Sequence, residues 1–173
     1  MYKKILNIIL VLALTLGLTG CWSIGLEFPV SKTGFPIGFT RLSDGAQIYL
    51  GMTREEIGKV LGEAIEPFWF PVLYDDQIVI QYSNSNVTSI GTLSENWAIA
   101  DGIFFGDSIQ NIINSEIFFD IIHSEEQRVI RVTNAPADSE YLKYVMVFTY
   151  DDRGYIEIMS VSYASEVLEY FVI

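Results

Sequence analysis

Few side chains in this 173-residue sequence are suited to chemistry. His123 is the single histidine and Cys21 the single cysteine. If residues 120–127, DIIHSEEQ, form a strand, His123 and Glu125 share a face, because alternate residues of a strand point the same way. Two such groups could contact a metal ion, but a structural zinc site takes four ligands. We therefore expect no metal site and no cofactor, with His123 a polar residue at a strand end.

The other candidate catalytic groups do not converge. The paired carboxylates are sequence neighbours, at 75–76, 125–126 and 151–152. Neighbouring residues in a strand point to opposite faces, and aspartates in turns hydrogen-bond to the backbone of the turn. Ser124, beside His123, lacks the Gly-x-Ser-x-Gly context of a nucleophile elbow. We expect no catalytic residue, and the sequence predicts that the protein is not an enzyme.

Cys21 has a different context. Lys3 and Lys4 precede an apolar run, 5–18, which is shorter than the roughly 18 residues that span a bilayer. The run ends in Leu-Thr-Gly-Cys at 18–21, which resembles a bacterial lipobox. A leftover thiol or a cut at another small residue is the alternative. We expect residues 1–20 to be a lipoprotein signal peptide and Cys21 to carry acyl chains that anchor the protein in a membrane.

The charge balance excludes one class of partner. The chain has 10 basic and 22 acidic residues. Residues 1–20 hold two of the basic and none of the acidic ones, which leaves eight against 22, a formal charge of −14. Nucleic-acid binding depends on Lys and Arg that neutralise phosphates, so we expect no nucleic-acid partner. The acidity is explained by solubility or by recognition of a charged partner.

Two segments share a pattern of an apolar pair, a glycine and a helix start. In the first, Gly51 precedes Thr53, and Thr53 with Glu56 forms the sequence pattern of a capping box. In the second, Gly106 precedes Ser108. The predicted apolar faces are Ile57, Val60, Leu61, Ala64 and Ile65 for the first helix, and Ile109, Ile112, Ile113 and Ile117 for the second.

Alternating residues predict strands after each helix. They cover 76–83 and 127–134, and the clearest hairpin is 143–163 around an Asp-Asp-Arg-Gly turn. We therefore predict an α+β fold of two tandem repeats, each a short helix followed by antiparallel strands, packed as one domain. The predicted boundaries are a Gly- and Pro-rich lipidated tether at 21–47, a first repeat at 48–102 and a second at 103–173.

The first segment also resembles a known signature. GMTREEIGKVLG is similar to the Gly-Met-Thr…Leu-Gly pattern of small bacterial lipoproteins of the BamE/SmpA kind, and the order of elements is similar to the tandem-repeat beta-lactamase-inhibitor-protein-like (BLIP-like) fold. The matching residues are Gly51, Met52, Thr53, Ile57, Leu61 and Gly62, then Gly106, Asp107, Ser108 and Ile112. The resemblance implies a lipid-tethered domain with helices on an antiparallel sheet. It implies no particular partner contacts. The family usually has Gly-x-Pro after the helix, whereas this sequence has Gly62-Glu63-Ala64.

An aromatic run completes the candidates. PFWFPVLY, 67–74, places Phe68, Trp69 and Phe70 between two prolines. It is either an exposed platform, since Trp is common at interface hot spots, or an apolar strand over the core. We expect a lipoprotein on the extracytoplasmic side of the cell envelope, in the outer or the plasma membrane. It would bind a protein partner as an assembly factor, adaptor or inhibitor. The alternative is a lipoprotein that binds a sugar, peptide or envelope polymer.

Overall fold

Antiparallel strands dominate the computed structural model, which describes residues 37–65, 71–99, 102–115, 118, 120–133 and 144–163. The strands are β1 (Gly38–Arg41), β2 (Gln47–Tyr49), β3 (Val72–Tyr74), β4 (Ile78–Ser83), β5 (Asn86–Thr92), β6 (Trp97–Ile99), β7 (Ile103–Phe104), β8 (Asp120–Ser124), β9 (Val129–Thr133), β10 (Tyr144–Tyr150) and β11 (Ile156–Tyr163). The helices are α1 (Arg54–Leu61) and α2 (Ile109–Ile113), with a 3-10 turn at Asp75–Gln77.

The strands form two sheets. A four-stranded sheet has the order β2-β1-β6-β7, and a seven-stranded sheet has the order β3-β4-β5-β11-β10-β9-β8. All neighbouring strands are antiparallel. The hairpins β4–β5 and β10–β11 meet in the middle of the larger sheet, where β5 pairs with β11. Both helices start against the turns of these two hairpins, as described below.

One buried cluster joins both sheets and both helices. The four-stranded sheet contributes Phe39 and Trp97, and the seven-stranded sheet contributes Phe148. Each helix contributes a fully buried isoleucine, Ile57 from α1 and Ile112 from α2. Ile109 of α2 is also in this cluster, and Val60, Leu61 and Ile113 pack against it. The helices therefore depend on the β-rich core, because eight and five residues are too few to form stable helices alone.

The predicted fold class is wrong. The described residues form eleven strands in two sheets with two short helices, not two helix-plus-strand repeats. Three strands follow α1 within the larger sheet, and four follow α2. The strand β5 explains part of the error: Ser89 and Thr92 are buried in the sheet, so its sequence lacks the apolar alternation that marks a strand.

Several local predictions are confirmed. Thr53 and Glu56 form the capping box of α1. Ser108 caps α2, and the β10–β11 hairpin turns at residues 151–154. Ala64 and Ile65 of the predicted apolar face lie past the end of α1 at Leu61, and Ile65 is 54% exposed.

Several predictions concern residues outside the described part of the chain or at its edge. Cys21, Phe68, Trp69 and Phe70 lie outside them, as does the predicted signal peptide. The strand β1 lies inside the segment 21–47, so regular structure begins before the position that the sequence assigns to it. None of the helices in the described part of the chain is long and apolar enough to cross a membrane.

Candidate functional site

The β10–β11 hairpin holds the start of α2. The Gly106 N–H donates to the Ile156 carbonyl at 2.9 Å, and the Ile156 N–H donates to the Asp107 carbonyl at 2.9 Å. One residue into the helix, the Ile109 N–H donates to the Gly154 carbonyl at 3.0 Å. Gly106 has a φ of +84°, a left-handed conformation that glycine adopts without strain. The helix start is thereby fixed beside the hairpin turn.

Asp151 organises that turn. Its Oδ1 accepts the N–H groups of Arg153 and Tyr155, both at 2.9 Å. These bonds favour the ionised form, so the pKa of the Asp151 carboxyl lies below its usual range, chiefly because of the Tyr155 N–H. The turn presents Asp152 and Arg153 outward, where both are exposed.

His123 and Tyr150 meet at this end of the larger sheet. His123 lies on the edge strand β8 opposite Ile130 of β9, and Tyr150 is the last residue of β10. A hydrogen bond of 2.7 Å joins His123 Nε2 and the Tyr150 hydroxyl. The two rings are tilted by 58° with centroids 5.7 Å apart. The pair forms one wall of a surface cleft.

The cleft lies between the α2 start, the end of β8 and the β10–β11 turn, and has a volume of about 500 Å³. Most of its lining side chains are polar or charged. Its wall includes Ser108, Gln110, His123, Glu125, Arg128, Tyr150, Asp151, Asp152 and Arg153. Arg128 forms an ion pair with Asp152, and both residues line the cleft. This lining offers guanidinium, carboxylate, hydroxyl and ring contacts to a ligand.

Two polar side chains of the cleft have hydrogen-bond partners within the protein. Ser108 Oγ accepts the Gln110 N–H at 3.3 Å and so serves as the helix cap. His123 bonds to Tyr150, not to a serine or a carboxylate. In the described part of the chain, no three His, Cys, Asp or Glu side chains are grouped to hold a metal ion.

The structure brings together one predicted pair and adds residues that the sequence does not single out. His123 and Glu125 both line the cleft, although β8 ends at Ser124 and Glu125 belongs to the following turn. Tyr150, Arg128 and Arg153 complete it. The Tyr150–His123 contact depends on the β8-β9-β10 register, which the sequence does not reveal. The only sequence feature that could mark Tyr150 as a site residue is its position directly before the predicted turn.

Comparisons with known proteins give no family. No protein-family model matches the chain, and no curated protein matches it. Among solved structures, an extracellular protein from Bacillus anthracis that contains an SCP domain aligns with 84% of this chain at 8% identity and a TM-score of 0.45. The alignment covers 50% of that protein, so this chain spans about half its length.

Proposed function

We propose that this chain is a lipid-anchored extracytoplasmic protein of the cell envelope that binds another protein, as an assembly factor, adaptor or inhibitor. The observation that carries the binding role is the cleft, an open surface lined by Arg128, Arg153, Tyr150 and His123. Tyrosine and arginine are enriched at the residues that contribute most to protein–protein affinity. The anchor rests on the sequence around Cys21.

The alternative is a small ligand such as a sugar, peptide or envelope polymer. The cleft volume of about 500 Å³ favours it, since ligand pockets typically measure about 300–1,000 Å³. Such pockets are usually enclosed and lined mostly by apolar side chains. This cleft has a mostly polar and charged lining, with Asp152 and Arg153 exposed at its edge, so a protein surface is the better fit.

The binding role is tested by affinity purification from detergent-solubilised membranes with the full acylated chain as bait. We expect a stoichiometric protein partner with the wild type. Arg153→Ala should weaken its recovery, because a hot-spot truncation costs about 2 kcal/mol or more, roughly thirtyfold in affinity. Lys59→Ala is the matched control, since Lys59 is an exposed cation on α1 paired only with Glu55 in the described structure.

The results separate the two functions. Loss of the partner with Arg153→Ala and retention with Lys59→Ala support protein binding at the cleft. A partner-free protein that binds a small envelope ligand saturably supports the alternative. Equal recovery of the partner by both variants would move the binding surface away from the cleft. The run Phe68, Trp69 and Phe70 is then the next candidate.

The aromatic run has its own test. Trp69→Ala should lower partner recovery without changing the melting temperature if Trp69 lies in an interface. If Trp69 lies in the core, the same variant should lose about 3–5 kcal/mol of stability. Thermal melting and partner recovery measured on one preparation distinguish the two cases.

The anchor is tested by intact-mass measurement of the mature protein. We expect an N-terminal Cys21 with attached acyl chains. Cys21→Ser should abolish acylation and leave uncut precursor or released domain. An unmodified cysteine, or a mature N-terminus at another residue, contradicts the lipoprotein proposal.

A further inference from the structure

We propose that β8 is a docking edge, onto which a partner protein adds an extended segment flanked by Lys or Arg as a further strand. This inference rests on the proposed protein-binding function and names its site and the chemistry of the partner. Strand addition uses main-chain hydrogen bonds for affinity and alternate side chains for specificity. It requires an edge strand that is long enough and not already capped.

Three of the four sheet edges are short and capped. The strand β3 has three residues, and the Ile65 N–H donates to the Leu73 carbonyl at 2.9 Å along its outer side. The strand β7 has two residues, and the Phe104 N–H donates to Asp107 Oδ2 at 2.9 Å. Such short, capped edges are the usual protection against pairing with another chain.

The remaining short edge is β2. It has three residues, and the chain turns back on it directly, since the Met52 N–H donates to the Tyr49 carbonyl at 3.3 Å. The Tyr49 N–H also contacts Met52 Sδ at 3.3 Å. A partner strand therefore finds no open run of backbone groups on β2.

The strand β8 is different. It has five residues, the most of any edge strand in the described residues, and β9 is its only strand partner there. In an antiparallel pair, alternate residues direct their N–H and C=O groups away from the partner strand. We find no loop or side chain among the described residues that donates to or accepts from these outward backbone groups.

The side chains of β8 also suit a docked strand. Ile122 is 41% exposed and stands on one face, opposite Arg131 of β9. His123 points to the other face and lines the cleft. An added strand would therefore cover Ile122 on one side and reach the cleft on the other. This placement connects the open edge with the candidate site in one continuous surface.

The acidic residues near β8 indicate the charge of the segment that would dock there. The chain carries a net charge of −12, and the sequence places Asp120 at one end of β8 and Glu125 and Glu126 just beyond the other. Three cations lie near this edge, Arg131 opposite Ile122 and Arg128 and Arg153 in the cleft, and Arg128 is paired with Asp152. They are outnumbered by these carboxylates together with Asp151 and Asp152 of the cleft. A second copy pairing antiparallel through Ile122 would bring the acidic ends of the two strands together, which repels. A segment with basic flanks has complementary charge.

The first experiment measures binding to the wild-type full chain in detergent micelles. The probe is a synthetic peptide of alternating Val and Thr with two lysines at each end, and the control peptide carries glutamates instead. We expect the lysine peptide to bind saturably and to slow amide hydrogen exchange at residues 120–124. It should also shift the imidazole NMR signals, which report on the cleft because His123 is the only histidine.

The expected contrast is large. The glutamate peptide should bind about tenfold more weakly or worse, because like charges are placed side by side. If the lysine peptide does not bind, or binds without protecting residues 120–124, the inference is overturned. Pairing of β8 with a second copy is also a contrary result, and would appear as a dimer by sedimentation without peptide.

The second experiment uses matched variants. Ile122→Lys places a charge on the edge, a common natural block to strand addition, and should abolish peptide binding and partner recovery. Ile65→Lys makes the same change at another isoleucine, 54% exposed, and should leave both unchanged. If wild type and Ile122→Lys recover a partner equally, the proposed function stands and the β8 inference falls. If no form recovers a partner, the proposed function itself fails.

Discussion

Tyr82 and Tyr150 occupy corresponding places at the two ends of the larger sheet. Tyr82 is the last but one residue of β4 and Tyr150 the last residue of β10, and each lies just after a shift in strand register. Each hydroxyl is bonded to a side chain of an edge strand. Tyr82 meets the Tyr74 hydroxyl at 2.8 Å on β3, and Tyr150 meets His123 Nε2 at 2.7 Å on β8.

The two ends differ in what surrounds these pairs. Tyr74 is only 3% exposed, and the Arg54 guanidinium lies 5.5 Å from the centre of the Tyr82 ring. Burial raises the pKa of Tyr82 far above its usual range. At the other end His123 is exposed, and the space beside it is the cleft. Both tyrosines are half-buried, but the partner of Tyr82 is buried, whereas the partner of Tyr150 is exposed beside the cleft.

The backbone around both pairs is alike. Gly51 donates its N–H to the Val87 carbonyl at 2.8 Å, as Gly106 does to Ile156 at 2.9 Å. Gly51 also has a left-handed φ, of +90°. The likeness is confined to these turns and hairpin ends, since three strands of the larger sheet follow α1 and four follow α2. Similar backbone geometry at the two ends therefore carries different side chains, a tyrosine pair that includes buried Tyr74 at one end and an exposed His123 at the other.

The largest expected effect tests whether both helices are anchored in the same way. Ile57→Ala in α1 and Ile112→Ala in α2 each empty a fully buried position. Each should lower the free energy of unfolding by about 2–5 kcal/mol, from lost burial and the cavity left behind. Urea unfolding measures both. Ile113→Ala, at a half-buried neighbour, should cost less than Ile112→Ala. A cost that differs widely between the two helices would show that they are not anchored alike.

The tyrosine pairs should respond differently to loss of a hydroxyl. Tyr74→Phe leaves the hydroxyl of half-buried Tyr82 without its partner, at a cost of about 1 kcal/mol. Tyr150→Phe should change stability by about 0.5 kcal/mol or less, because water can replace the tyrosine hydroxyl at exposed His123. Chemical unfolding of both variants checks this, and equal costs would contradict the contrast between a closed and an open end.

The sequence predicts the parts of these regions that depend on nearby residues. The caps at Thr53 and Ser108 and the turn at 151–154 follow from short-range patterns, and all three are confirmed. The tyrosine partners depend on register between strands that are distant in sequence. Tyr150 and His123 are 27 residues apart and lie on β10 and β8, with β9 between them. No local pattern indicates that contact, so the cleft could not be predicted.

The predicted repeat fold fails for a related reason. Short strands such as β6 and β7, with three and two residues, have too few positions to show alternation. Their pairing is set by the core, where Trp97 and Ile99 are almost fully buried. A prediction based only on the long alternating strands misses these short ones and therefore overestimates the share of helix in the fold.

A smaller effect concerns the helix caps. Thr53 takes part in a reciprocal capping box with Glu56, whereas Ser108 makes a single bond to the Gln110 N–H. Thr53→Ala should cost about 1 kcal/mol, and Ser108→Ala less within the same range of about 0.5–2 kcal/mol. Thr53→Ser keeps the hydroxyl and is the matched control. A cost at Ser108 above that at Thr53 would mean that the single cap matters more than the box.

The smallest expected effect appears only in acid, and it compares one carboxylate at each end. The pKa of Glu56 lies below its ordinary value of 4.5, mainly because it accepts the Thr53 N–H. The pKa of Asp151 lies below its ordinary value of 3.8, mainly because it accepts the Tyr155 N–H. A carboxyl whose pKa is lowered by folding stabilises the protein above its unfolded pKa. That contribution is lost as pH falls through the lowered folded value.

Glu56→Gln and Asp151→Asn should therefore each make stability less sensitive to acid. The measurement is the urea midpoint from pH 6 downward, at low and high salt, since Glu56 is exposed, Asp151 is partly exposed, and salt screens such groups. Because the ordinary value is higher for Glu56, its variant should depart from the wild-type pH profile at higher pH than the Asp151 variant. The double variant should show the weakest pH dependence, since the two sites lie in separate turns and their effects should add. Profiles parallel to the wild type would show that neither carboxylate contributes through its hydrogen bonds in solution.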